Sequence, residues 1–325
     1  HSYSSAASDV YKRQALITGS FAYDNILAFD GFFEESLIKE KLNDLSISFL
    51  CQDMKKNYGG CAGNIIYNCN GIGAKSICLG TLGKDGYDYL NWFKSIGIDT
   101  RFLKILDDCY SAQAFIMTDN NSNQITSFYP GAMQYSHTIK IPTDGIELGL
   151  VSPDGKEGML MHTQEFIDHK IPFIFDPGQG MPMFTKDELL LMSLNAKYIV
   201  MNSYEYELFR KKTSLDFNNF VNENKVFIIT NGDKGSDIFT QKENFHIDSV
   251  KVVDAVDPTG CGDAYRAGII YGILNKMTWD KIGILSANLG ATKVEHFGTQ
   301  NHNFDKIKSL LSVSYTHLRA HETNS

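Results

Sequence analysis

The amino-acid sequence contains no run of apolar residues that approaches the roughly 20 residues needed for a membrane-spanning helix. Its six cysteines include no pair with Cys-x-x-Cys spacing, so a zinc site is disfavoured. Most of them lie in apolar or glycine-rich runs, where a cysteine usually packs as a small core residue. We therefore expect a reducing, cytoplasmic compartment and no membrane partner.

Two common nucleotide-binding motifs are also missing. There is no GxxxxGK[ST] motif, which excludes P-loop chemistry. Gly71-Ile72-Gly73 lacks the third glycine of a dinucleotide fingerprint and precedes a predicted strand rather than a helix, which disfavours an NAD site. The formal net charge of −8 argues against a nucleic-acid partner. An anionic nucleotide would therefore need local positive groups or Mg²⁺.

The composition is that of an ordinary soluble globular protein, with 43% apolar and 21% charged residues. The 325 residues are enough for one large α/β domain. Residues 1–14 and 313–325 lack apolar periodicity, and we interpret both as non-native or flanking tails. The predicted domain is then 15–312.

The stretch Asp257-Pro258-Thr259-Gly260-Cys261-Gly262-Asp263 combines two acids with two glycines. An apolar run over 250–256 predicts a strand before it, and apolar residues at helical spacing follow it. Glycines remove the Cβ atoms that would keep an anion off the backbone, and amides at a helix N-terminus attract negative charge. The alternative is a capped helix start, which requires neither the second acid nor the glycines.

This stretch resembles the C-terminal signature of the PfkB (ribokinase-like) family of sugar and nucleoside kinases. The resemblance implies an α/β fold, a three-layer αβα sandwich with a mostly parallel central sheet and a small β lid. It assigns Asp263 as catalytic base and the amides of Gly260, Cys261 and Gly262 as an anion hole. We expect the helix N-terminus to lower the pKa of Asp263.

Two earlier stretches fit the same family. Asp24 follows the predicted strand at 15–20, and 58–64 reads Tyr-Gly-Gly-Cys-Ala-Gly-Asn before a helical pattern. The resemblance implies that Asp24 holds substrate hydroxyls and that Gly59, Gly60 and Asn64 contact the sugar. From the residues alone, Asp24 equally fits a turn, and the glycines fit tight packing of a helix on a sheet.

The family lid is expected in two pieces, at about 24–51 and at 111–130. Short apolar pieces at 26–29 and 46–51 fit lid strands around a charged stretch at 34–44. A predicted hairpin supplies the second piece, with a polar turn at 119–123. In some family members the lid pairs with a second chain, so the resemblance implies a possible homodimer through the lid.

In the second half, predicted strands at 171–175, 198–201 and 226–229 each end in a polar or glycine-rich loop, as in a parallel sheet. The resemblance places ATP along these loops. The residues it assigns to ATP are Asn202, Glu205, Thr230, Gly232, Gly235, Asn288 and Thr299. It gives Glu205 and Asp257 a water-mediated contact with Mg²⁺. For Glu205 the alternative is an acidic first helical turn.

The predicted function is ATP-dependent phosphorylation of a small molecule. Segments 19–24, 59–64 and 257–268 are similar to a bacterial branch often called adenosine-kinase-like. A nucleoside, adenosine first, therefore ranks above ribose or a fructose phosphate as substrate. A non-catalytic nucleotide- or sugar-binding protein on the same fold is the remaining alternative.

Overall fold

The computed structural model describes residues 14–36 and 46–312. The expected tails lie outside these residues, apart from Gln14, and so does most of the charged stretch at 34–44. Strand β1 begins at Gln14, one residue before the predicted start of the domain.

A nine-stranded sheet forms the centre of the molecule, in the order β13-β12-β11-β10-β9-β8-β1-β4-β5. Neighbouring strands are parallel except at β11–β12 and β12–β13. The strands are β1 Gln14–Thr18, β4 Ser76–Gly83, β5 Phe102–Leu106, β8 Ile146–Val151, β9 Phe173–Phe175, β10 Tyr198–Asn202, β11 Val226–Thr230, β12 Ser236–Phe239 and β13 Asn244–Ile247. The carboxyl ends of the parallel strands therefore meet at one rim.

Helices cover both faces of this sheet. Its central strands are apolar on both sides: in β1, Leu16 packs into one hydrophobic cluster and Ile17 into the other. The helices are α1 Phe33–Ser36, α2 Cys61–Gly71, α3 Tyr87–Ser95, α4 Lys156–Asp168, α5 Lys186–Asn195, α6 Ser203–Thr213, α7 Phe217–Val221, α8 Cys261–Leu274, α9 Trp279–Val294 and α10 at 305–312. Short 3₁₀ helices occupy Gly131–Thr138, Gly178–Met183 and Gly232–Lys234. The predicted three-layer α/β sandwich is confirmed.

The helices divide into two sets. The cluster that contains Ile17 receives apolar side chains from α2, α3, α8 and α9. The cluster that contains Leu16 receives them from α4, α5 and α6. Within residues 14–36 and 46–312, no helix combines the length and apolar character that crossing a bilayer requires.

A second, four-stranded sheet has the order β3-β2-β6-β7. Its strands are β2 Ala22–Phe29, β3 Cys51–Gly59, β6 Ala112–Thr118 and β7 Gln124–Tyr129. The hairpin predicted around 119–123 is formed by β6 and β7. Asp24 is not in a turn but inside β2, paired with Asn57 of β3 and Ala114 of β6.

Two strand predictions were wrong. Residues 250–256 form no strand, and Val253 is 92% exposed. The described part of the sheet ends at β13, and this run does not pair with the open edge of that strand. Residues 46–50 are also irregular, and β3 begins only at Cys51.

Candidate active site

Asn64 and Asp263 connect the two signature stretches, although they are 199 positions apart in the chain. Asn64 lies in the first turn of α2 and Asp263 in the first turn of α8, and the two helices pack together. Asn64 Nδ2 donates a hydrogen bond of 2.8 Å to Asp263 Oδ2. One predicted substrate-binding residue therefore touches the predicted catalytic base.

The glycine pair before α2 serves close packing. A Cβ atom on Gly59 would lie 2.3 Å from Asp24 Oδ2, so Gly59 leaves room for that carboxylate. Gly60 has a φ of 86°, and a Cβ there would lie 2.6 Å from the Ser20 carbonyl oxygen. The α2 N-terminus is thus held against the end of β1. Both glycines allow tight packing of the helix on the sheet, which was the alternative to a contact with the sugar.

Asp24 presents an open carboxylate beside these residues. Its side chain is half-buried and accepts no hydrogen bond from residues 14–36 and 46–312. Burial, with a smaller contribution from the charge of Asp257, raises its pKa to about 6. A half-buried acid with free lone pairs can accept hydrogen bonds from a ligand's hydroxyl groups.

The turn before α8 carries the three amides predicted to form an anion hole. Gly260 has a φ of 80°, and the amides of Gly260 and Gly262 have no acceptor in the described part of the chain. The Cys261 amide, by contrast, donates to the Pro258 carbonyl oxygen at 3.2 Å. Burial raises the pKa of the Cys261 thiol to about 11, so it is a neutral thiol near pH 7.

The expectation of a lowered pKa for Asp263 was wrong. Removal from water raises the pKa of this carboxyl to about 7. The hydrogen bond from Asn64 and the charge of Arg266 lower it, whereas the charges of Asp176 and Asp24 raise it further. The helix N-terminus does not compensate for burial, and Asp263 is poised near neutral pH, which suits a general base.

Arg266 and Asp176 form a buried ion pair that the sequence motifs did not reveal. Arg266 Nε and Nη2 donate to the two oxygens of Asp176 at 2.8 and 2.9 Å, and Nη1 donates to the Gly262 carbonyl oxygen at 3.3 Å. The pair joins the first turns of α8 to the loop after β9. The sequence signal for this ion pair was an arginine inside an otherwise apolar helix, because a buried charge needs a partner of opposite charge.

Asn202 and Glu205 form a capping box at the start of α6. Asn202 Oδ1 accepts from the Glu205 amide, and Glu205 Oε2 accepts from the Asn202 amide, both at 2.8 Å. The helix-start alternative therefore applies to both residues. Burial, followed by the charge of Asp176, raises the pKa of Glu205, and Arg266 opposes this shift. Glu205 thus lies in the same charged group as the ion pair.

Thr230, Gly232 and Gly235 lie at the end of β11 and in the turn that follows it. Gly232 and Gly235 have φ values of 61° and 84°. A Cβ on Gly235 would lie 2.0 Å from the Ile247 carbonyl oxygen, so that position requires glycine. The turn lies at the same rim of the sheet as the loop after β10.

The two remaining predicted nucleotide contacts already make internal bonds. Asn288 Nδ2 donates to the Ile284 carbonyl oxygen at 2.8 Å within α9. Thr299 is 2% exposed, and its hydroxyl donates to the Tyr58 carbonyl oxygen at 2.7 Å. A Cβ on Gly260 would lie 3.0 Å from Thr299 Cγ2, so Thr299 packs beneath the turn before α8.

Asp257 ties the start of this turn to the loop after α9. Its oxygens accept from the amides of Thr259 and Gly298, each at 2.9 Å, and Lys293 Nζ lies 3.6 Å from Oδ2. Burial acts to raise the pKa of Asp257, but the hydrogen bonds and Lys293 hold it below its ordinary value. The carboxylate is therefore ionised and close to the predicted anion hole.

The chain matches the pfkB family of carbohydrate kinases over residues 33–306, and it belongs to that family. It is a phosphotransferase with an alcohol group as acceptor. The nucleoside kinase of Burkholderia thailandensis, solved in complex with inosine, is 39% identical, with a TM-score of 0.81, over 93% of this chain and 98% of that chain. The nucleoside kinase of Methanocaldococcus jannaschii, an archaeal member of the ribokinase family, has a TM-score of 0.83 at 26% identity, over 92% and 98% of the chains. The predicted family and the ribokinase-like fold are confirmed.

Proposed function

We propose that this protein is an ATP-dependent nucleoside kinase in which Asp263 is the catalytic base. The observation that carries the proposal is the hydrogen bond between Asn64 and Asp263, which brings both signature stretches to one place. The similarity to two nucleoside kinases over more than nine-tenths of this chain supports the same substrate class.

The second sheet favours a nucleoside over a simple sugar. Asp24, Ala114 and Phe128 are cross-strand partners on β2, β6 and β7, so their side chains project from the same face. Phe128 is 53% exposed and lies two strands, roughly 10 Å, from Asp24. A ribose held by Asp24 would place its base within reach of the Phe128 ring, on which it can stack.

The proposed mechanism divides the work among three groups. Asp24 and Asn64 align the acceptor hydroxyl, and the free amides of Gly260 and Gly262 stabilise charge on the transferred phosphoryl group. Asp263 accepts the hydroxyl proton as the oxygen–phosphorus bond forms. Positioning and charge stabilisation suffice because phosphoryl transfer has a loose transition state.

Mg²⁺ would accompany ATP and neutralise charge on its phosphates. Among the described residues, no group of three or more acidic, histidine or cysteine side chains is arranged to hold a metal ion. Mg²⁺ itself keeps several waters and binds phosphates with only one or two carboxylates. Glu205 and Asp257 would supply these carboxylates. The loops after β10 and β11 would hold the nucleotide, with Asn288 at its adenine end, whereas Thr299 is buried beneath the turn before α8 and would support that turn.

A substrate panel with wild type and Asp263→Asn tests the proposed function. We expect phosphorylation of nucleosides, adenosine first, then inosine and guanosine, and much slower turnover of ribose and fructose 6-phosphate. Faster turnover of a sugar would favour the sugar-kinase alternative. Failure to phosphorylate any compound, together with ATP binding, would favour the non-catalytic alternative.

The second sheet also supports a homodimer. All six residues of β7 are exposed, and β7 is an edge strand that pairs only with β6 among the described residues. The face opposite Asp24 exposes Phe115, Ile125 and Tyr129 by 42%, 40% and 44%. An exposed edge strand with apolar neighbours favours pairing with a second copy of the chain about a two-fold axis.

A further inference from the structure

A chain of hydrogen bonds leads from the surface of α3 to the proposed base. Trp92 Nε1 donates to Gln300 Oε1 at 3.2 Å, and Gln300 Nε2 donates to Asn64 Oδ1 at 3.2 Å. Asn64 Nδ2 then donates to Asp263 Oδ2 at 2.8 Å. Gln300 and Asn64 are 3% and 4% exposed, so water has little access to this chain.

Only one orientation of the two amides satisfies every partner. An indole nitrogen can only donate, so the Gln300 oxygen must face Trp92. The Gln300 nitrogen then faces two acceptors, Asn64 Oδ1 at 3.2 Å and the Tyr89 hydroxyl at 2.7 Å. The Tyr89 hydroxyl donates a hydrogen bond of 2.7 Å to the Gly59 carbonyl oxygen, so its oxygen is able to accept from Gln300.

The same logic fixes Asn64. Because its oxygen accepts from Gln300, its nitrogen must face Asp263. A reversed Asn64 would direct a carbonyl oxygen at the carboxylate and an N–H group at the Gln300 N–H group. Each reversal sets donor against donor or acceptor against acceptor in a buried place, which is unfavourable.

We propose that Gln300 and Trp92 are positioning residues that fix the orientation of the Asn64 amide and so direct its N–H group at Asp263. The proposal rests on the proposed role of Asp263 as base. It adds that the Asn64 N–H group, which donates to the base, has a fixed direction. The indole of Trp92 sets that direction through two hydrogen bonds, one to Gln300 and one from Gln300 to Asn64. Trp92 itself is held in place by Tyr58, whose ring stacks on it at 5.7 Å between centroids.

Loss of the directed N–H group has a specific consequence. A hydrogen bond to the ionised carboxylate favours that form, so its loss raises the pKa of Asp263. The charges of Arg266, Asp176 and Asp24 also act on the pKa of this carboxyl. The charge of Asp263 in turn raises the pKa values of the neighbouring thiols of Cys61 and Cys261. Gln300 and Trp92 carry no charge, so neutral substitutions at either position leave these groups unchanged.

The test compares Gln300→Met and Trp92→Phe with wild type by measuring kcat and KM for adenosine and inosine across pH. In Gln300→Met we expect the acidic limb of kcat/KM to move up by about 1 pH unit, with a roughly tenfold loss at pH 6.5 and little loss at high pH. Trp92→Phe keeps an aromatic ring but removes the N–H group, and should give a smaller shift in the same direction. KM for ATP should stay unchanged in both variants.

Tyr67→Phe is the matched control. Tyr67 also stacks on Trp92, and its hydroxyl donates to the His302 carbonyl oxygen outside the amide chain. The acidic limb of kcat/KM in Tyr67→Phe should coincide with that of wild type. A lower melting temperature alone, with the acidic limb unmoved in both test variants, would overturn the proposal. If Gln300→Met does not fold, the acidic limb of Trp92→Phe alone tests the proposal.

The design separates this proposal from the proposed function. If Asp263→Asn is inactive but the acidic limb is unmoved in the two variants, only the positioning role fails. If Asp263→Asn retains near-normal turnover, the base assignment fails and the positioning role fails with it.

Discussion

At the scale of single residues, the pKa of Asp263 is set by neighbours with opposing effects. Burial raises its pKa to about 7, and the carboxyl must be ionised to accept a proton. We therefore expect kcat/KM for the nucleoside to fall as the pH drops through about 7 and to level off above it. Initial rates from pH 5 to 9 test this expectation, and a flat profile between pH 5 and 8 would contradict it.

A substitution at Asp24 tests the titration of Asp263 in a second way. The charge of Asp24 raises the pKa of Asp263, so Asp24→Asn should move the acidic limb to lower pH. This shift is opposite in sign to the one expected from Gln300→Met. The same substitution should raise KM for the nucleoside, because Asp24 is proposed to hold its hydroxyl groups.

The residues of the site were predictable only where they lie in contiguous motifs. Asp263, Asn64 and Asp24 come from short patterns whose chemistry is local. Arg266 meets Asp176 across 90 positions, and Gln300 meets Asn64 across 236. Such pairs are created by the packing of distant elements, and a single sequence carries no signal for them beyond a polar residue in an apolar setting.

At the scale of single elements, Gly60 determines how α2 begins. Both Gly60 and Gly73 have positive φ, 86° and 77°, but only Gly60 lies against backbone atoms. Gly73→Ala should cost about 1 kcal/mol of unfolding free energy from backbone strain alone. Gly60→Ala adds a clash with the Ser20 carbonyl oxygen and should cost roughly 3 kcal/mol or more.

Urea unfolding of the two variants measures this difference. Because Gly60 precedes the turn that carries Asn64, Gly60→Ala should also impair nucleoside phosphorylation, whereas Gly73→Ala should not. Equal losses of stability in the two variants would show that the close contact at Gly60 has no energetic consequence.

The wrong strand prediction at 250–256 belongs to the same scale. A short apolar run indicates that a segment is able to form a strand, but a strand also needs a partner. Here the backbone amides of Val256 and Asp257 both donate to the Val294 carbonyl oxygen at the end of α9. The last residues of this segment are therefore fixed by the end of a helix, and the apolar run does not reveal that contact.

At the scale of the whole molecule, the order of polar loops along the chain was enough to predict a parallel sheet with one functional rim. The pairing of β2 with β3 and β6 was not predictable in detail, because the second sheet is assembled from separate segments. That pairing gives Asp24 its place inside a strand and gives Phe128 its place on the same face.

The proposed dimer is tested at this scale by light scattering after gel filtration. We expect wild type to be a dimer and the double variant Phe115→Lys with Ile125→Lys to be a monomer, because two lysines on the exposed face opposite Asp24 oppose its burial against a second copy. Leu191→Lys, at an exposed apolar position in α5, is the control and should remain a dimer. A monomeric wild type would rule the interface out.

The most direct test of the central claim is the turnover of Asp263→Asn with adenosine and ATP, measured beside its ATP affinity. Asparagine keeps the size of the side chain but cannot accept the hydroxyl proton. We predict that kcat falls by about 10²- to 10⁴-fold while the Kd for ATP changes less than about threefold. Turnover within tenfold of wild type would contradict the assignment of Asp263 as the catalytic base.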